Sequence, residues 1–180
     1  MDVKVLAEAG YEESALGFSL SYNSTTERAK ELFPKFAFKQ GGENKFLESI
    51  VIWLDVRAPR FWWQEADTYR VGTTKQSEST MHTLKKAPLM STDFEHGLYF
   101  EVIDYLNRAI RNEVPLEVLK NMLPEGFLQR RIWMMSYKTM QNIYNQRINH
   151  KLPQWQYFLH DVMAQLEHPE FIVKEDKNGE

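Results

Sequence analysis

The chain has no cysteine, and that absence removes several chemistries at once. Disulfide scaffolds, thiolate metal sites and cysteine nucleophiles are excluded, and the composition suits a cytoplasmic protein. Strong charge is missing too. With 22 basic and 25 acidic residues the net charge is −3, so no global basic field is available to hold duplex nucleic acid. No apolar run approaches the roughly 20 residues that span a bilayer. The opening Met1-Asp2-Val3-Lys4-Val5-Leu6 is too short and too charged for a signal peptide. The sequence has no Gly-x-Gly-x-x-Gly and no phosphate-binding P-loop. Ser77 and Ser79 lack the Gly-x-Ser-x-Gly elbow of a hydrolase. No two of His82, His96, His150, His160 and His168 have the spacing of paired ligands on one helical face, so no metal site is expected.

What remains is a globular composition, 43% hydrophobic and 13% aromatic over 180 residues. It predicts one domain over residues 1–172, followed by a charged tail, 173–180. Val3 to Leu6 alternates and reads as a short strand. Ser24-Thr25-Thr26-Glu27 is a capping box that starts a helix near Thr25, which Pro34 kinks or ends. Ile50, Ile52, Leu54 and Val56 mark a strand with one buried face, and Pro59 suits the first turn of a helix to about Thr68. A second capping box, Thr92-Asp93-Phe94-Glu95, predicts a long helix with Phe94, Leu98, Val102, Leu106 and Ile110 on one face. Pro115 starts a shorter helix. Leu128 to Arg147 reads as one helix through Ile132, Met135, Met140 and Ile143, and Pro153 begins the last. The fold class is α+β, helix-dominated, with a small, mostly antiparallel sheet.

The most unusual stretch runs from Tyr69 to His82. It gathers hydroxyls, amides, Arg70, Glu78 and a histidine directly after the aromatic run Phe61-Trp62-Trp63. Polar loops on rigid scaffolds are common ligand sites, and Gly72 permits a close backbone approach. The same composition also describes a solvated surface loop. Arg147 closes an apolar helix among Asn142, Asn145, Gln146 and Asn149, and a guanidinium among amides suits a planar polar ring or a phosphate. Arg130 reads as an ordinary solvated arginine. The tryptophans Trp53, Trp62, Trp63, Trp133 and Trp155 suggest core or a buried subunit interface.

Taken in order, these segments resemble the flavin-dependent thymidylate synthase family over most of the chain. Gly42-Glu43-Asn44-Lys45-Phe46-Leu47-Glu48 is similar to that family's Gly-His-x-x-x-x-Glu-His segment, with Glu43 and Ser49 replacing both histidines. Thr68-Tyr69-Arg70-Val71-Gly72-Thr73 lies where the family has Arg-His-Arg-x-x-Ser. Gln76 to His82 resembles Asn-Glu-x-Ser-x-Arg-Tyr with one insertion. Leu119-Lys120-Asn121-Met122-Leu123-Pro124 is similar to Ala-Arg-x-x-Leu-Pro, and Gln154-Trp155-Gln156 to Gln-Trp-Glu. Ser136 stands for the family's flavin-contacting Asn and Lys138 for its neighbouring Arg. Arg70, Ser79 and Arg147 match, and Lys120 keeps charge in an arginine's place.

The resemblance implies FAD as cofactor and one-carbon transfer from a folate to deoxyuridylate (dUMP), with a nicotinamide reductant. It would make the protein a homotetrameric methyltransferase of nucleotide metabolism. Arg147 would polarise the pyrimidine, with Ser79 as the second catalytic residue. Arg70, Gln76, Ser77 and Lys120 would bind nucleotide, and Tyr69, Ser136, Lys138, Asn142 and Gln154 would flank the flavin. Two other readings remain open. One is a binding or scaffolding homologue that has lost flavin. The other is a nucleotide-modifying enzyme in which Gln76, Ser77 and His82 are new functional groups.

Overall fold

The computed structural model describes residues 1–174, and residues 175–180 of the expected tail lie outside them. Strand β1 (Asp2–Ala9) extends the expected Val3–Leu6 strand in both directions. Gly10, at φ 91°, then turns the chain. A Cβ there would lie 2.2 Å from the Ser49 carbonyl oxygen, so only glycine fits. Helix α1 (Tyr11–Tyr22) follows, and the sequence did not announce it. Two of its four buried positions, Ser14 and Ser19, are serines, so no apolar stripe is visible. Helix α2 (Thr26–Phe36) starts where expected, with Thr25 Oγ1 accepting from the Arg28 amide at 3.2 Å. Pro34 sits in its last turn, and the helix ends two residues later.

Strand β2 (Val51–Pro59) buries Ile52, Leu54, Val56 and Ala58 completely, and α3 (Arg60–Ala66) follows with Pro59 as its N-cap, outside the first turn, and ends two residues before Thr68. The polar stretch is not simply a loop. It contains strand β3 (Thr73–Ser77) and a short helix α4 (Thr80–Thr83). Backbone pairing at the edge of a sheet needs no apolar side chains, so a polar edge strand leaves no hydrophobic alternation. The helix expected from Thr92 begins only at Phe100, as α5 (Phe100–Arg111). Asp93, inside the apparent capping box, closes a local turn instead, with its Oδ2 accepting from the Met90 amide at 2.9 Å. His96 and Gly97, at φ 60° and 74°, keep the chain non-helical there.

Helix α6 (Leu116–Met122) follows Pro115 as expected. The single helix expected over Leu128 to Arg147 is two elements, strand β4 (Leu128–Ser136) and helix α7 (Tyr137–Arg147). Arg130 and Arg131 therefore lie on a strand, and only Lys138 and Arg147 lie on the helix. Helix α8 (Pro153–Met163) has proline in its first turn and buries Trp155, Phe158, Leu159 and Val162. The four strands form an antiparallel sheet in the order β1-β2-β4-β3, giving the helix-rich α+β class. Among the described residues, no helix is long and apolar enough to cross a membrane.

The chain forms two compact units, and all four strands contribute residues to both. The first holds Met1–Asp2, Val56–Thr68 and Gln76–Arg131. One core cluster is mostly aliphatic, with Leu84, Leu89, Ile103, Leu106, Leu119 and Leu123 joined by Phe94 and Phe127, and Trp62 and Trp63 are buried as well. Arg131 grips Asp67 through two hydrogen bonds of 2.9 and 3.0 Å and lies 4.4 Å from the Trp63 ring centroid.

The second unit holds Val3–Asp55, Tyr69–Lys75 and the described residues from Ile132 onward. Its core is ring-rich. Phe33 stacks on Phe46 at 3.9 Å, and Phe18 meets Phe33, Phe36 and Phe46 edge-on. The Tyr137 hydroxyl donates to Glu8, whose other oxygen accepts from the Glu167 amide at 2.8 Å. On edge strand β1, the Gln165 amide accepts from the Val5 N–H at 3.0 Å and donates to the Val3 carbonyl at 3.1 Å. Trp62, Trp63, Trp133 and Trp155 are fully buried within the chain itself, and only Trp53 is exposed, at 38%. The tryptophan surplus therefore gives no support for a subunit interface.

Candidate functional site

The candidate site of the second unit is built around helix α7. Ser136 caps its N-terminus, accepting from the Thr139 amide at 3.2 Å. Arg147 closes its last turn, where a cation complements the helix dipole. The Arg147 Nε–H donates to the Tyr69 hydroxyl at 2.8 Å. Its guanidinium carbon lies 4.8 Å from the Trp155 ring centroid and 5.5 Å from that of Tyr69. Tyr69 meets Trp155 edge-on at 6.0 Å. A charge held against two ring faces is desolvated on those faces, which strengthens what it does to a bound acceptor.

The Tyr69 hydroxyl donates to Gln146 Oε1 at 3.0 Å, and Gln146 Nε2 donates to Asn142 Oδ1 at 3.0 Å. Gln156 Nε2 donates to the His150 carbonyl at 2.8 Å and to the Ile148 carbonyl at 3.3 Å, pinning the turn after α7. The structure thus joins Tyr69, Asn142 and Arg147 in one network. Sequence reasoning placed Gln146 only among the surrounding amides and did not see its bridging role. Its position one residue before Arg147 was the available signal.

The remaining candidates of this unit divide. Gln154 is 2% exposed in the first turn of α8. Lys138 is half-buried, while Asn142 and Arg70 are exposed. Gly72 does allow a close approach, but to α7. A Cβ there would lie 2.8 Å from Thr139 Oγ1, which donates to the Val71 carbonyl at 3.0 Å. Lys75 donates to the Tyr69 carbonyl at 2.9 Å, with its ammonium 4.7 Å from the Trp133 ring centroid.

Gln76, Ser77, Ser79 and Lys120 belong to the first unit, and all four are exposed. Gln76 and Ser77 end β3. The Ser79 carbonyl, not its side chain, starts α4 by accepting from the Thr83 amide at 3.0 Å. Lys120 sits in the last turn of α6. Among the described residues, no group of three His, Asp or Glu side chains is placed to hold a metal ion.

A cavity of about 690 Å³ lies in the second unit between α1 and the Gly41–Ser49 segment, a size typical of small-molecule sites. Gly42, Glu43, Lys45 and Glu48, quoted above for the family resemblance, line it together with Gly17, Phe18 and Tyr22. The sequence assigned no site role to either wall, and α1 itself was missed. Charged lining groups are Glu13, Glu43 and Glu48 against Lys45. Lys39, not in the lining, approaches Glu43 at 3.4 Å.

The chain has the fold of the flavin-dependent thymidylate synthases. The crystal structure of flavin-dependent thymidylate synthase ThyX from Helicobacter pylori, complexed with FAD and dUMP, matches with a TM-score of 0.80 at 16% identity, covering 97% of this chain and 99% of that one. A second structure of thymidylate synthase X from Helicobacter pylori, with FAD and dUMP, matches with a TM-score of 0.80 at 15% identity, covering 97% and 98%. No protein-family model matches the sequence, and no curated protein sequence matches it.

Proposed function

We propose that the chain is a divergent flavin-dependent thymidylate synthase-like protein that binds a pyrimidine deoxynucleotide through Arg147. The observation that carries this is the seat of Arg147 against Trp155 and Tyr69, in a fold whose solved examples hold dUMP. A fixed guanidinium beside a pyrimidine carbonyl favours the ring's ionised form, which is the activation that transfer of a one-carbon unit to the ring requires. Ser79 of a neighbouring subunit is assigned beside Arg147 at the reacting ring. Arg70, Gln76, Ser77 and Lys120 are assigned to the rest of the nucleotide. Tyr69, Ser136, Lys138, Asn142 and Gln154 are assigned to the cofactor side. FAD would supply electron transfer, with a folate as one-carbon donor and a nicotinamide as reductant.

The residues present fit the nucleotide better than they fit FAD. The Ser136 hydroxyl is already used to cap α7. This favours a second reading, a nucleotide-binding homologue that has lost flavin. Assembly as a homotetramer belongs to the proposal. The exposed Leu16 and Leu20 of α1 support it as surfaces an assembly would cover. A monomer at micromolar concentration in light scattering would count against it.

Two measurements decide between the readings. Flavin absorbance near one per chain in the purified protein supports the enzyme, and a colourless protein that ignores added FAD supports the binding homologue. In calorimetric titration dUMP binds the wild type. Arg147→Ala weakens it by about 1.5–3 kcal/mol, the range for a charged hydrogen bond. Arg130→Ala, an exposed strand position, leaves it unchanged. Equal effects in the two variants, or no binding to the wild type, defeat the proposal.

A further inference from the structure

The network at the end of α7 has a direction. Arg147 Nε–H donates to the Tyr69 hydroxyl, which spends its only proton on Gln146 Oε1. Gln146 Nε2 donates in turn to Asn142 Oδ1. The proton order is fixed by chemistry. An arginine Nε–H can only donate, so the Tyr69 oxygen must accept there, and its own proton must point to the amide oxygen. Gln146 and Asn142 are four residues apart on the same helix, so the chain of donors is anchored to a rigid element.

We infer that Tyr69 is a positioning residue for Arg147, holding the guanidinium in its binding pose before ligand arrives, with Gln146 orienting the hydroxyl. The inference rests on the reading of Arg147 as the nucleotide's anchor. An arginine side chain has about 2 kcal/mol of rotamer entropy to lose when it is immobilised. A hydrogen bond at Nε fixes the torsions before it, while the rings of Tyr69 and Trp155 flank the planar group. The ligand then meets an arginine that is already ordered, and the cost of ordering falls on folding instead of binding. The same network ties Arg147 to Asn142, so a ligand that moves the guanidinium also disturbs the amide one helical turn away.

Tyr69→Phe tests this, because it keeps the ring and its packing and removes only the acceptor. We expect dUMP affinity in calorimetric titration to fall about tenfold, the lower end for a charged hydrogen bond. In the Arg147→Ala background the same change should cost nothing further, whereas a purely structural role would carry its loss into both backgrounds. A second readout needs no nucleotide. The Arg147 Nε–H signal in ¹⁵N-edited NMR, assigned by its disappearance in Arg147→Lys, should exchange slowly in the wild type and rapidly in Tyr69→Phe. An unchanged signal in Tyr69→Phe overturns the inference. So does an unchanged dUMP affinity in Tyr69→Phe while Arg147→Ala is impaired, a result that leaves the proposed function standing. Failure of the wild type to bind dUMP defeats the proposed function instead, and the exchange measurement still decides whether Tyr69 holds Arg147.

Discussion

The two units spend their aromatic residues differently. In the second, Phe18, Phe33, Phe36, Phe46 and Phe171 pack ring to ring in the interior. In the first, Trp62 and Trp63 are buried edge-on at 4.9 Å, but the cluster around Leu106 and Leu119 is largely aliphatic, and Tyr99 and Phe100 at the head of α5 remain 81% and 77% exposed. The candidate residues divide less cleanly, since Arg70 and Asn142 of the second unit are exposed. Tyr69, Ser136 and Arg147 of the second unit are held by hydrogen bonds from neighbouring elements. Gln76, Ser77, Ser79 and Lys120 of the first are all exposed. Groups held in advance convert more of their interaction into affinity, because exposed ones must be ordered when the ligand arrives.

The largest test of that contrast is in the cores. Phe33→Ala should destabilise the protein by about 3–5 kcal/mol in denaturant unfolding, whereas Tyr99→Ala should stay within about 0.5 kcal/mol. Similar losses would erase the difference between the two sets of rings. A smaller effect depends on pH. Burial and the hydrogen bond to Glu8 raise the Tyr137 hydroxyl well above the ordinary tyrosine value. A raised folded-state value means its contribution is complete below about pH 10 and is lost as pH rises beyond that. Alkaline unfolding should then steepen by up to about 1.4 kcal/mol per pH unit above pH 10, and Tyr137→Phe should remove that slope. The smallest effects belong to the exposed candidates. Gln76→Ala and Lys120→Ala should each weaken dUMP by no more than about 1 kcal/mol. A loss as large as that of Arg147→Ala would show that exposure is no guide to which candidates carry affinity.

Legibility in the sequence followed the kind of signal each element left. α2 and α8 announced themselves because a capping hydroxyl and a first-turn proline act locally. β4 and α7 were fused into one helix because Ile132, Met135, Met140 and Ile143 fit a helical stripe. The true alternation was carried by Trp133 and Met135, both fully buried. The break falls at Ser136, whose capping partner is the Thr139 amide, with no acid at that position to flag it. β3 was invisible because its polar side chains say nothing about its backbone pairing. The resemblance named Tyr69 and Arg147 but no residue of the cavity. It could not show that Tyr69 and Arg147 bond to each other, because that contact joins residues separated by 78 positions.

Gln165 also sets a timetable. It occupies the pairing groups of Val3 and Val5 on an edge strand, the kind of surface on which chains otherwise pair with one another. The strand is made first and its guard is made 160 residues after Val5. At 5–20 residues per second, roughly 10–30 s of synthesis separate the two. During that interval the pairing groups of Val3 and Val5 stand uncovered on every nascent copy, which the finished chain closes only with Gln165.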